Sequence, residues 1–237
     1  MLKTYGIVSG LAPKGAVTMK SALLSAAANK GLQVEVVMDD RIPPVDAPDA
    51  RTALADQKIT VMDAVSALAE EGVAAVLVAG LKAQIFLPEV QTETQVPVVS
   101  LWKVVADYAR KQGVTKIGVL GGCDEAEKKG LVAAFSSLEL VFPADEIGCC
   151  SDPADRAMHV VRVAENLKAQ GAELLLPWCE HAVEAFSVLK EKGIPVCNPY
   201  VLAGDYVVKH EWKRLAKPFK VGMIGGLGPA AFKNDTI

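Results

Sequence analysis

Aromatic residues make up only 5% of the 237-residue chain, histidines number three, and net charge is −3. No cluster of Lys and Arg interleaves with aromatic side chains, so the electrostatic footprint of a nucleic-acid-binding protein is missing. No run of about 18 apolar residues is present, and the opening Met1-Leu2-Lys3-Thr4-Tyr5-Gly6 lacks the apolar core of a secretory signal. The expectation is a cytoplasmic protein without membrane contact. Cys123, Cys149, Cys150, Cys179 and Cys197 form an odd set with no Cys-x-x-Cys spacing, which points away from a disulfide framework and from zinc. His159, His181 and His210 do not pair with another ligand on one helix face, so no bound metal is expected.

What the chain has in quantity is apolar residues, at 51%. Short β-branched runs at Tyr5–Ser9, Leu32–Met38, Ala74–Ala79, Val96–Val99, Lys116–Leu120, Leu138–Phe142, Glu173–Leu176 and Ile194–Cys197 alternate with longer amphipathic stretches. Gly31, Gly72, Gly113, Gly171 and Gly193 each stand shortly before a strand, where a helix C-terminus takes a left-handed residue. This βαβ rhythm predicts an α/β fold with parallel sheets flanked by helices.

The rhythm repeats. VLVAGLKA at Val76–Ala83 is echoed by LLLPWCEHA at Leu174–Ala182, and YGIVSG at Tyr5–Gly10 by IGVLGG at Ile117–Gly122. Two similar lobes are expected, one of residues 1–99 plus 200–218 and one of 100–199, with a cleft between them. A third echo, VGMIGGLGP at Val221–Pro229, matches YGIVSGLAP at Tyr5–Pro13 and follows Lys217-Pro218. It reads either as a last strand and turn of the same domain or as the opening of a second copy from residue 219. Too little chain follows it to complete a domain, which favours the second copy.

Gly-rich turns after strands invite a phosphate-site reading, but the residues do not comply. GLAPKGAV at Gly10–Val17 lacks the Lys-Ser/Thr ending of a P-loop, and GLGPAA at Gly226–Ala231 fits a dinucleotide pattern only loosely. The turn at Gly6–Ala16 instead resembles the opening G-I-x-G-G-x-G-P-x-A of the aspartate/glutamate racemases, with Ser9 and Ala12 in place of glycines. Gly222–Ala231 follows the same pattern, and Asp39-Asp40-Arg41-Ile42-Pro43 occupies the family's x-x-R-I-P place after the second strand. The resemblance extends over residues 5–216.

That resemblance implies a cofactor-independent amino-acid racemase, in which two facing thiols move the Cα proton, one as base and one as acid. The second thiol motif falls on Leu176–His181 and puts Cys179 in register. The first falls on Ala79–Gln84, where Gly80 stands in the cysteine's place. Leu81-Lys82 and Glu180 replace the threonines that would hold a substrate carboxylate, and Trp178 takes a glycine position. The implied substrate-binding set is Ser9, Arg51, Lys82, Glu180 and His181. Cys123, after Gly121-Gly122, is a candidate displaced thiol, whereas packing accounts for Cys149, Cys150 and Cys197.

Two-base racemization therefore lacks one of its groups here. The alternatives are a non-catalytic ligand-binding or regulatory copy within a tandem racemase, and a one-thiol decarboxylase or isomerase. Arylmalonate decarboxylases, in the same superfamily, also pair Gly with Cys, but carry hydroxyl residues where this chain has Leu81-Lys82. Implied partners are a small carboxylate or amino acid, a second racemase-like domain and a homodimeric copy.

Overall fold

The computed structural model describes residues 2–43, 49–144, 153–178 and 180–215. The third echo at Val221–Pro229, the Cys149-Cys150 pair and Cys179 lie outside the described residues.

The first half opens with strand β1 at Lys3–Val8, helix α1 at Pro13–Ala28, β2 at Val34–Asp39 and α2 at Ala50–Glu70. After β3 at Val76–Val78, a 3-10 turn at Lys82–Phe86 leads into α3 at Leu87–Glu93, β4 at Val98–Val99 and α4 at Leu101–Lys111. The second half contains β5 at Lys116–Leu120, α5 at Glu125–Ala134, β6 at Glu139–Val141 and α6 at Pro153–Ala169. It continues with β7 at Leu174–Pro177, α7 at Glu180–Glu184, α8 at Phe186–Glu191 and α9 at Pro199–Lys209.

The strands form two parallel sheets, ordered β2-β1-β3-β4 and β6-β5-β7. β3 and β7 are buried along their whole length, as expected of strands covered by helices on both faces. The internal echoes land on equivalent places. β1 and β5 sit inside their sheets, and β3 and β7 flank them on the side away from β2 and β6. Ile194–Cys197, expected as an eighth strand, contributes one bridge between Val196 and Leu175. Pro195 has no amide hydrogen, so it accepts from Leu175 but cannot extend the ladder as a donor. The five helix-ending glycines take φ between 63° and 90°, which confirms their reading as left-handed caps.

Caps fix several helix starts. Asp49 accepts from the Thr52 amide at the head of α2, and Asn198 accepts from Tyr200 and Val201 at the head of α9. Asp124 and Glu127 form a reciprocal capping box on α5. Among the described residues no helix is long and apolar enough to cross a membrane.

The chain returns to the first sheet through α9. Tyr200, Ala203 and Val207 of α9 join Ala16, Met19 and Leu23 of α1 and Tyr5 and Ile7 of β1 in one apolar cluster. The helices approach closely because Gly204 has no side chain, and a Cβ there would lie 2.6 Å from the Leu23 amide nitrogen and 2.9 Å from the Ala22 Cβ. Helix propensity alone favours alanine over glycine by about 1 kcal/mol. Overpacking against backbone acts the other way, by about 1–3 kcal/mol. Gly204→Ala is therefore expected to lower the free energy of unfolding in chemical denaturation, and a raised midpoint would contradict this packing.

Candidate functional site

In the first sheet the chain leaves β1 for β2 on one side, and β3 lies on the other. Such a switch in strand order leaves an opening beyond the C-terminal ends of the strands, where α/β proteins place their ligands. The loop after β1 brings Leu11 and Ala12 there, and the loop after β3 brings Gly80, Leu81 and Lys82. From the second sheet, whose order switches in the same way between β5 and β7, comes Trp178. With Gln57 of α2 and Tyr200 of α9 they line a pocket of about 220 Å³.

Gly80 forms part of the wall and is crowded. A Cβ at this position would lie 3.0 Å from both Cβ and Cδ1 of Leu11 and 3.2 Å from the Ala83 Cβ. The loop is pinned from beneath by Gln84, whose buried amide donates to the carbonyls of Val78 and Gly80, each at 3.0 Å, while its oxygen accepts from the Leu101 amide at 2.8 Å. Every bond asked of this buried carboxamide runs to backbone, which fixes the wall of the site against the start of α4.

Glu127 is the chemical centre of the arrangement. Its side chain is 9% exposed, yet three donors meet it. The Asp124 amide donates to Oε2 at 3.0 Å, the Trp178 indole N–H donates to the same oxygen at 3.3 Å, and the Lys82 ammonium lies 3.0 Å from Oε1. Burial without such partners would be prohibitive for a carboxylate. Trp178 is 1% exposed, and its ring stands 5.6 Å from that of Trp102 at a tilt of 35°, a favourable aromatic geometry. It fills space beside the pocket, as expected from a bulky residue at a glycine position.

Cys123 stands in the same neighbourhood. Burial pushes its thiol up to about 12, the Glu127 carboxylate adds to the rise, and Lys82 opposes it. A thiol so placed stays protonated and is a poor base, which argues against its reading as a displaced catalytic cysteine. Cys197 is likewise pushed up to about 12 by burial, and its S–H donates to the Leu175 carbonyl. It packs in the core, as its strand position implied.

The sequence-derived candidates divide. Gly80 and Lys82 line the pocket. Ser9 is buried, its hydroxyl donates to the Asp39 carbonyl at 2.9 Å, and it is not among the lining residues. Arg51 is exposed on the first turn of α2; Gln57, further along that helix, reaches the pocket instead. Glu180 and His181 open α7, but nothing is described of their side chains. Leu11, Ala12, Gln57, Ala83 and Tyr200 line the pocket without being candidates from the sequence, and neither was Glu127, which stands behind Trp178 and Lys82. Asp-x-x-Glu at Asp124–Glu127 announces a capping box from sequence alone, but its link to Trp178 and Lys82 needs the fold.

The fold and the pocket define the class: an α/β protein of two parallel sheets whose strand ends carry a pocket. The Asp/Glu/hydantoin racemase family model matches residues 8–176, and the chain belongs to that family. Among solved structures, it is similar to an aspartate racemase homologue from Pyrococcus horikoshii OT3, with TM-score 0.67 and 19% identity over 87% of this chain and 98% of that one. A glutamate racemase isoform from Bacillus anthracis matches with TM-score 0.62 and 19% identity, covering 86% of this chain and 79% of the other. A glycine-to-cysteine variant of arylmalonate decarboxylase matches with TM-score 0.54 and 15% identity, covering 88% and 93%. A search of curated proteins finds no match.

The causes of the Cys123 shift can be separated. Burial is the larger cause, so Glu127→Gln should bring the thiol only part of the way back toward the ordinary range of about 8.5. Peptide-resolved alkylation rates measured against pH read this directly. Full restoration of an ordinary thiol in the variant would show that charge, not burial, holds the proton.

Proposed function

We propose that this domain is a non-catalytic member of the racemase family, a ligand-binding copy that does not racemize amino acids. The single observation behind this reading is Gly80 packed against Leu11. Proton transfer on two faces of a carbon needs an acid and a base on opposite sides. At Gly80 one group is missing, and a Cβ added there would already crowd Leu11 and Ala83. Cys123 does not supply the missing base, since burial keeps its thiol protonated.

Trp178 supports the same reading, because it is large, buried and tied to Glu127 where a racemase substrate would need space. The echo of the first strand-turn at Val221–Pro229 supports pairing with a second racemase-like copy. One observation favours a different activity. Gly80 with Cys179 reproduces in sequence the single-thiol pairing of the arylmalonate decarboxylases, one variant of which shares this fold. A one-thiol lyase or isomerase would protonate from one face only.

Incubation in D2O with aspartate, glutamate and phenylmalonate, followed by NMR for deuterium at Cα and by CO2 release, decides between these. The expected result for the wild-type protein is no exchange and no decarboxylation above buffer. Gly80→Cys is expected to gain nothing on its own, because Leu11 crowds the new side chain. Exchange or CO2 release that Cys179→Ala abolishes would sink the non-catalytic reading.

A further inference from the structure

We infer that Glu127 sets the ligand class of this pocket: it holds Lys82 as an internal counter-charge, so the pocket takes a small uncharged molecule with an amide-like head and rejects a carboxylate. The inference rests on the reading that the pocket binds without turning its ligand over.

Among the described residues, Lys82 is the one positively charged residue lining the pocket, where a carboxylate ligand would otherwise be held. Its ammonium is already 3.0 Å from Glu127 Oε1. The two partners are unequal. The Lys82 side chain is 59% exposed and the Glu127 side chain 9%. Glu127 is further held by the Asp124 amide and the Trp178 indole, so the carboxylate is fixed and the lysine is the member that could turn to another anion. Drawing Lys82 away would remove the countercharge from a buried carboxylate, which is unfavourable. Bridging both carboxylates with one ammonium would set a second negative charge beside Glu127, and a single positive charge would have to serve both.

An uncharged ligand meets neither obstacle. Leu11, Ala12, Leu81 and Ala83 give the walls an apolar character, and Gln57 contributes a carboxamide that is donor and acceptor at once. A volume of about 220 Å³ suits a small molecule only. Rejection here comes from a built-in unfavourable charge rather than from shape, which is how sites separate isosteric ligands. Two substitutions follow from the same logic. Glu127→Gln leaves Lys82 without its partner and should open the pocket to carboxylates. Lys82→Met added to that variant should close it again.

The test uses isobutyramide and isobutyrate, which have the same shape and differ in charge, titrated into the full 237-residue chain labelled with 15N. In the wild type, isobutyramide is expected to shift the Leu81, Lys82 and Gln57 resonances, with isobutyrate at least tenfold weaker. In Glu127→Gln the order should reverse, with carboxylate affinity raised by tenfold or more, and the double variant should lose that gain. Glutamine also serves in a capping box, and should Glu127→Gln still fail to fold, the wild-type comparison alone remains decisive. Equal or tighter isobutyrate binding by the wild type, no gain in a folded Glu127→Gln, or no response to either probe would each overturn the inference. Deuterium entering the probes' Cα in D2O would instead overturn the non-catalytic reading, so the two failures are distinguishable.

Discussion

Glu127 is a carboxylate withdrawn from water, and a charge so placed holds only while donors surround it. The donors come from three parts of the chain: the Asp124 amide at the head of α5, the Trp178 indole after β7, and Lys82 on the turn after β3. One residue thereby ties the loop ends of both sheets together. Trp178 is held in place by that bond and by its contact with Trp102, and the pocket wall it forms follows from both. Replacing the carboxylate alters the charge of the pocket, the setting of Cys123 and the anchoring of Trp178 together. Effects of this kind are coupled and do not add.

The duplicated order of the sheets explains why the site falls where it does. β2-β1-β3 and β6-β5-β7 are the same arrangement, so each sheet has its own switch in strand order and its own opening beyond the strand ends. The pocket takes residues from the β1 and β3 loops of one sheet and from the β7 loop of the other. α9 secures the arrangement by packing on α1, with Tyr200 contributing at once to the core and to the pocket.

Much of the fold was legible in the sequence because its signals are local. Apolar runs located the strands, glycines located the helix ends, and the repeated segments fell on equivalent strands. Ile194–Cys197 was overestimated, since a run containing Pro195 supports one bridge rather than a ladder. The site was legible only in part. Gly80 and Lys82 follow a recognisable strand, so counting along the motif found them. Glu127 and Gln57 sit on helices whose sequence gives no sign of which loop they will face, and Ser9 looked available until the Asp39 carbonyl claimed its hydroxyl. Arg51 and Gln57 share helix α2, and less than two turns between them separate an exposed residue from one lining the pocket.

The departures from a two-thiol site also support one another. A Cβ at position 80 would crowd Leu11, which itself lines the same pocket as Trp178. Restoring a thiol requires the Leu11 side chain to give way beside the loop that Gln84 pins. Shrinking Leu11 without adding a side chain at 80 leaves a void, which is also unfavourable. Lys82 and Glu127 form a second such pair, in which removal of either partner leaves a charge without its counterpart. On the proposed reading, a two-base site would require coordinated changes at positions in contact with one another, and a single substitution meets resistance from its neighbours. The arrangement is internally consistent as a charge-balanced pocket, which is what the proposed non-catalytic reading requires.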